Sequence, residues 1–571
     1  MSSDEKSVLG DDKRLGDVEA VAEALDGPEE DIVEFDEKKD LKRGLHQRHI
    51  QMIALAGTIG TVNTRYHFLL LTFSGQAIVQ GGPLGAFLGY LITGCLAACA
   101  VISVAEMSAL VPLSGAAIRH AEYFFDPALS FAEGWNSVYA CCVGTPAEMS
   151  AVAVLMQFWT PVSNAVWITV FGILLLASNL FFVRIYGEIE FSLAMLKIML
   201  IIGVIIMGLV IDLGGVEGQE RIGFRYWRDP VSTLSPPTIS PRTHNLSQGP
   251  FVQYLDIPGP LGRFAGFWAT LTSAAYSYSG IESITNAAAE TKNPRRNIPK
   301  AAKRIFWRIL IFYVLAILVV TMIVPSNNEN LLSSTGTATQ SPFVIAANLA
   351  GIKVVPHIIN AVVLTSAWSS GNSGMLNGSR ALYGIAREGH APKVFTRCNR
   401  YGIPYVAVCS IGAFMALGYM TLDKSASVVF GWFQDLIASS ILVYWIVICL
   451  VYLRFFYGCK RQGISRSELP WRGPFQPYAA WTGLFSFIII LLTQGYSVFI
   501  HGLWDTETFF SAYFNIPLIL VLYFGFKIVK RTRIVSLEEM PIRHFIRIAQ
   551  ENPEPPEKPL KGWHKLNILW G

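Results

Sequence analysis

Charge is what this sequence has least of. Only 15% of its 571 residues are Asp, Glu, Lys or Arg, 52% are apolar, and the mean hydropathy is +0.41. Soluble domains carry about 25% charged residues, so an ordinary soluble globular chain is excluded. Cysteine is sparse too. The eight cysteines (Cys95, Cys99, Cys141, Cys142, Cys398, Cys409, Cys449 and Cys459) fall in apolar runs or basic loops, and none lies in the long loop 214–262. A disulfide framework is therefore not expected, and no His/Cys spacing suits a metal. No catalytic triad, nucleotide loop or nucleic-acid motif occurs, which argues against an enzyme and leaves no cofactor to expect. The net charge of +4 comes from basic clusters beside apolar runs and does not mark a nucleic-acid surface.

What the chain has in abundance is uncharged length. Runs such as "AVWITVFGILLLASNLFFV" and "FSLAMLKIMLIIGVIIMGLVI" are long enough to cross a bilayer as helices. The pattern predicts an all-α integral membrane protein with about twelve spans, near 49–75, 83–111, 128–159, 163–183, 188–213, 263–288, 303–325, 354–386, 404–422, 427–455, 477–499 and 506–529. Residues 1–40 are acidic and poor in aromatics, the composition of a disordered tail, and lack the layout of a signal peptide. The first apolar span is expected to act as the insertion signal. Lys6 and Lys13 are candidate ubiquitin acceptors, with solvated charge the plainer reading. Residues 41–530 form the twelve-span membrane body and 531–571 a second tail.

Basic residues set the orientation. With twelve spans, "ETKNPRRNIPKAAKR", "SRALYGIAREGHAPKVFTRCNR" and "LRFFYGCKRQGISRSELPWRG" all lie on one side, whereas "SNNENLLSSTGTATQSP" and "HGLWDTET", which lack Lys and Arg, lie on the other. Positive loops face the cytoplasm, so both tails are expected there. Asn245 in "NLS" is a glycosylation sequon in a loop predicted to face outward.

Two spans are interrupted by polar, glycine-bearing stretches: "GTIGT" (Gly57 to Thr61) in the first and "YSYSGIESIT" (Tyr276 to Thr285) in the sixth. They lie five spans apart, as two related halves would require. Transporters built from inverted repeats place substrate near the bilayer midplane between such broken helices. At a break, backbone N–H groups attract an anion and freed carbonyls accept from an ammonium, so a zwitterion suits the pair. The small-residue face in "GGPLGAFLGY", with Gly94 and Ala98, reads instead as close helix packing.

Several stretches carry a family resemblance. "LKRGLHQRHIQMIALAGTIGT", "AEMSALVPLSGAAIRHAEYFFDPALSFAEGWN", "SYSGIESITNAAAETKNPRRNIPKAAKRIFWRILIFY", "SSGNSGMLNGSRALYGIAREGHAPKVF" and "FNIPLILVLYFGFKIVKRTRIV" occur in order. Together they resemble fungal amino-acid permeases of the amino acid–polyamine–organocation superfamily, over about residues 41–540. The resemblance implies a LeuT-like five-plus-five inverted repeat (49–213 and 263–455) with two extra helices (477–529). It also implies import of L-amino acids at the plasma membrane with protons, by alternating access. Gly57, Thr58, Ile59, Gly60 and Thr61 would bind the substrate carboxylate, mainly through backbone. Tyr276, Tyr278, Ser279 and Gly280 would face its amino group. Glu282 and Glu148 are the proton-coupling candidates, because an ionised carboxyl in a bilayer is costly and rarely without a role. Asn372 and Ser373 are candidate pocket residues. Trp432 and Phe433 are weaker ones, the bland reading for Trp432 being a membrane anchor. Glu106 is expected to pair with a loop base. A transporter-like sensor is the alternative, argued against by the shortness of tail 1–40.

Val62 to Ser74, "VNTRYHFLLLTFS", departs from the family pattern. Val62 stands where a glycine is usual, the segment is longer, and Arg65 falls in the outer half of the helix. Either this is a true variant in which Arg65 reaches the surface, or it is translated intron, since every Val codon begins GT. Under either reading the segment is where transport by this chain is most exposed to impairment.

Overall fold

Proline and capping residues start the helices where hydropathy places the spans. The computed structural model describes residues 62–113, 115–181, 183–216, 219–228, 250–281, 285, 293–328, 331, 341–400 and 402–554. All of these belong to one unit, Gln47–Gly571, and among them the regular structure is entirely helical. The principal helices are α1 (Val62–Leu110), α2 (Ala116–Phe124), α3 (Pro127–Met156), α4 (Asn164–Phe181), α5 (Val183–Asp212), α6 (Gly259–Ser277), α7 (Pro294–Ile309) and α8 (Leu315–Ile323). They continue as α9 (Pro342–Leu349), α10 (Val355–Arg387), α11 (Tyr405–Ala413), α12 (Ala426–Arg461), α13 (Tyr478–Thr493), α14 (Thr506–Tyr513), α15 (Asn515–Lys530) and α16 (Ile542–Glu551). Six of the described helices are long and apolar enough to cross a membrane alone, and α14 with α15, bent by 43°, makes a seventh span.

Each expected span after the first has a helix in its place, but hydropathy misses how the helices are broken. The first two spans meet in α1, interrupted only at Gly82, whose φ of 73° is available chiefly to glycine. Pro83 follows it, and the segment 250–252 crosses the kink so closely that a Cβ on Gly82 would lie 2.8 Å from the Pro250 carbonyl oxygen. The seventh span carries a π-helical turn, Leu310–Val314, between α7 and α8. The ninth continues beyond α11 as a 3₁₀ stretch, Phe414–Leu422. A hydropathy window averages over such changes because they alter backbone pitch and leave composition alone.

The capping of α3 shows how the ends are held. Asp126 is its N-cap and accepts from the Ala128 N–H at 2.8 Å, with Pro127 at the first helical position. The same fully buried carboxylate is paired with Lys527 of α15, which fastens the last span to the third. Burial would push the Asp126 carboxyl up, but Lys527 and the Ala128 N–H outweigh it and hold it below its ordinary value.

The small-residue face of α1 is a packing surface, as its spacing suggests. Gly81 and Gly89 lie against Thr270 of α6, and a Cβ on Gly94 would stand 2.7 Å from the Tyr278 hydroxyl. Close approach at glycine lets the two helices gain dispersion contacts that a side chain would prevent. α12 packs against α1, α3 and α6, and α10 packs along α3.

The chain after Arg531 is expected only as a tail, yet residues 535–554 are docked. Val535 N–H donates to the Phe125 carbonyl at 2.8 Å, and Arg454 donates to the carbonyls of Phe124 and Val535. Gln462 donates to the carbonyls of Leu537, Glu538 and Met540, Arg461 pairs with Glu538 at 2.8 Å, and Arg543 donates to the Gln462 carbonyl. The apolar side of α16, Ile542, Phe545 and Ile546, is buried, with Phe545 edge-on to Tyr123 and Phe124. Beyond α16, Glu554 accepts from the Arg295 N–H at 2.7 Å at the start of α7.

Candidate functional site

The predicted break in the sixth span is present. Helix α6 stops at Ser277. Tyr278 leaves the helical region with φ −89° and ψ 5°, and Gly280 has φ 80°. The N–H of Ser279 donates to the Tyr276 carbonyl at 3.1 Å and that of Ile281 to the Tyr278 carbonyl at 3.4 Å, so the chain turns tightly instead of continuing. The Tyr278 carbonyl keeps a second lone pair for another donor.

Side chains lock the turn in place. The Tyr278 hydroxyl donates to the Tyr90 carbonyl at 2.9 Å, and the Tyr90 hydroxyl lies 3.0 Å from the Ser277 hydroxyl. Tyr278 also stacks on Tyr313, ring centroids 5.3 Å apart. Tyr313 stands on the π-helical turn, a distortion frequent at functional sites. The Tyr278 side chain is therefore a support for the break, and any substrate contact from this residue falls to its backbone. Ser279 differs. Its hydroxyl is buried and, among the described residues, has no hydrogen-bond partner, an arrangement costing about 1–3 kcal/mol unless a ligand or water completes it.

A second polar cluster is centred on α10. Five consecutive residues, Ser369, Ser370, Gly371, Asn372 and Ser373, are buried in the middle of this span. Three of them reach three different helices. Ser369 accepts from the Lys197 ammonium of α5 at 3.0 Å, and Ser370 donates to Glu148 of α3 at 2.7 Å. Asn372 accepts through its side-chain oxygen from Ser178 at 2.7 Å and from Asn179, both on α4. Adjacent hydroxyls on one helix thus hold a buried cationic and a buried anionic side chain. Lys197 and Glu148 are 0% and 2% exposed. An ionisable pair sunk in a span marks a proton or ion pathway more often than a structural brace.

The predicted residues therefore divide into groups. Tyr276, Tyr278, Ser279 and Gly280 form the break. Glu148 and Asn372 join the cluster on α10, with Ser373 buried beside them. Phe433 is buried in α12 and Trp432 half-buried. Gly57, Thr58, Ile59, Gly60, Thr61, Glu282 and Asn245 lie outside the described residues. Glu106 pairs with a loop base as expected: its carboxylate accepts from Arg466 at 2.8 Å and from the Gly473 N–H at 2.7 Å. Sequence reasoning missed Lys197 and Asn179. The signal was there for Lys197, a single Lys inside "FSLAMLKIMLIIGV", whereas nothing in the apolar run around Asn179 distinguishes it.

Comparison with known proteins identifies the family. The family model described as "Amino acid permease" matches residues 49–539. The dicarboxylic amino acid permease of Saccharomyces cerevisiae is 34% identical over 526 residues, 91% of this chain and 82% of that protein. The proline-specific permease of Emericella nidulans is 37% identical, covering 87% of each. The lysine-specific permease of Saccharomyces cerevisiae is 33% identical, covering 92% of this chain and 83% of that one. Among solved structures, a variant of the manganese transporter of Eremococcus coleocola aligns with a TM-score of 0.45 at 13% identity, over 87% of this chain and 94% of that one. These curated relatives are named as permeases and none as an enzyme. With a family match running almost end to end through a multi-span helical body, this chain belongs to the amino acid permease family.

Proposed function

We propose that this protein is a proton-coupled symporter importing L-amino acids across the plasma membrane by alternating access, with both tails in the cytoplasm. The observation that carries the reading is the break at the end of α6. A helix stops inside a span just before a left-handed glycine, and the buried Ser279 hydroxyl, without a partner among the described residues, sits beside the Tyr278 carbonyl, which has a lone pair to spare. That is a site for the ammonium of a zwitterion. Its carboxylate is assigned, from the sequence alone, to the backbone of Gly57 to Thr61, because N–H groups freed at a glycine-bearing break would favour an anion.

The relatives are named for dicarboxylic, proline and lysine substrates, which share only the α-amino and carboxylate groups. Recognition is accordingly assigned to those groups, and the side chain is left to the pocket around them. Glu148 is the proton carrier within the described residues, with Glu282 the second candidate and Lys197 a third titratable group on the same cluster. A proton taken by Glu148 weakens its attraction for cations and alters its bond with Ser370. The helices α3 and α10 are thereby coupled to the proton gradient.

The test is uptake of labelled L-glutamate, L-proline and L-lysine into proteoliposomes with an imposed pH gradient. Accumulation that collapses with a protonophore is the expected result. Binding without flux, or flux indifferent to the gradient, overturns the symporter reading.

A further inference from the structure

Where α12 ends, hydrogen-bond donors outnumber their acceptors. An open groove of about 480 Å³ is lined there by Tyr457, Lys460 and Arg461 of α12 and by Leu537 of the docked C-terminal segment. Lys460 is exposed, and among the described residues its ammonium meets no acceptor. Arg461 gives its Nε–H to Glu538 at 2.8 Å, which leaves both of its terminal NH2 groups uncommitted among the described residues. The Tyr457 hydroxyl accepts from the Trp481 indole N–H at 3.2 Å and keeps its own proton to donate. Glu538 offsets one of the two positive charges, so the groove remains cationic. An ammonium, a guanidinium and a phenol around one space suit an oxyanion with several acceptor oxygens, such as a phosphate.

The same groove adjoins an apolar surface. Trp481, bonded to Tyr457, stands in the first turn of α13 and stacks on Phe485, ring centroids 5.4 Å apart. Trp481, Phe485, Ile489 and Leu492 are all exposed, and their spacing of four, four and three residues puts them on one face of α13. From Trp481 to Leu492 that stripe climbs about 16 Å along the helix axis. Half of the hydrocarbon core of a bilayer is about 15 Å, so the stripe matches one leaflet and begins at the groove. Tyr and Trp at its foot are the residues that sit at headgroup level. A soluble anion would use the donors and ignore the stripe. An amphiphile with a phosphate head and acyl chains uses both.

We infer that this groove binds an anionic phospholipid. Its phosphodiester is held by Lys460, Arg461 and Tyr457, and one acyl chain lies along Trp481, Phe485, Ile489 and Leu492. A zwitterionic headgroup that carries its own ammonium is disfavoured by Lys460. Bound there, the lipid touches the end of α12, the start of α13 and the C-terminal segment at Leu537. Placing it in the cytoplasmic leaflet, where anionic lipids give a negative surface, rests on the orientation proposed above; the site itself does not. Lys460→Glu replaces a charge-assisted bond with repulsion and weakens binding about tenfold or more.

The experiment uses the full chain purified in detergent and three probes: dioleoylphosphatidylglycerol, dioleoylphosphatidylcholine with the same chains, and soluble glycerophosphoglycerol, which has the headgroup and no chains. Each lipid carries a diazirine near the top of one acyl chain, and crosslinked peptides are identified by mass spectrometry. Phosphatidylglycerol should label the peptide containing Trp481 and Phe485, with phosphatidylcholine about tenfold weaker. Lys460→Glu should lower that labelling about tenfold, and Lys460→Arg should retain it. Because Lys460 is exposed and unpartnered, both variants should unfold as the wild type does in the absence of lipid. Labelling unchanged in Lys460→Glu, or equal for the two lipids, overturns the site. Glycerophosphoglycerol competing as strongly as the intact lipid overturns the lipid in favour of a free anion. Labelling of Lys460 in intact cells by a membrane-impermeant amine reagent overturns the leaflet assignment and the proposed orientation, and leaves the binding site standing.

Discussion

Replacing Arg466 by alanine tests whether the buried ion pair with Glu106 is maintained by its partner. Glu106 is 1% exposed and accepts four bonds: three from the Arg466 guanidinium, at 2.8, 2.9 and 3.3 Å, and one from the Gly473 N–H at 2.7 Å. Arg466 is 28% exposed and lies 5.7 Å over the Phe456 ring. The two partners are therefore unequal. Arg466→Ala strands a carboxylate that cannot reach water, which costs about 3–5 kcal/mol. Glu106→Gln keeps an acceptor for the Gly473 N–H and leaves a guanidinium that can turn outward, costing about 1–3 kcal/mol. The double variant Glu106→Leu with Arg466→Met removes both charges together and recovers most of the loss. Unfolding of the detergent-solubilised protein, followed by tryptophan fluorescence, gives all three values and the coupling between the sites. A cost for Arg466→Ala below that of Glu106→Gln, or a double variant less stable than either single one, refutes the reasoning.

Three further outcomes follow from the structure. His120 is fully buried, its Nε2 donates to the Val111 carbonyl at 3.0 Å, and burial holds it down to about 4 from 6.5. Its contribution is complete above pH 6.5 and is lost as pH falls towards 4, about 3 kcal/mol across that window. His120→Gln should flatten the acid limb of a stability–pH curve, and an unchanged limb counts against this. Gly94→Val drives a side chain into the Tyr278 ring, whose hydroxyl and ring carbon stand 2.7 and 3.0 Å from a built Cβ. Uptake should fall by about a hundredfold at normal membrane abundance, the order that a one-ångström displacement of a site can cost. Phe545→Ala removes an aromatic that covers Tyr123 and Phe124. It should release α16 and make residues 535–554 cleavable by added protease, at a local cost of about 3–5 kcal/mol. Protection equal to wild type would show that the polar contacts of Val535, Arg454, Arg461, Gln462 and Arg543 hold the segment without this ring.

The sequence by itself determined the class of protein, the positions of the later spans and the break at Tyr278 to Ile281. Those depend on properties carried along the chain: uncharged length, and a glycine among polar residues where a helix should be continuous. Glu106 was legible for the same reason, as an acid at a span end opposite a basic loop. The cluster on α10 was legible only in part. Glu148 and Asn372 stand out as polar residues in apolar runs, but their partners are 222 and 193 residues away in sequence, and no local pattern pairs them. Asn179 acquires meaning only from what faces it, and Lys197, conspicuous as the one Lys in its apolar run, gains its Ser369 partner only from the fold. The C-terminal segment looked like a tail because hydropathy averages over faces, and α16 buries one face while exposing the other. Helix propensity and transfer to lipid are decided residue by residue. Which hydroxyl meets which carboxylate depends on how helices cross, and that is set by packing among residues far apart in the chain.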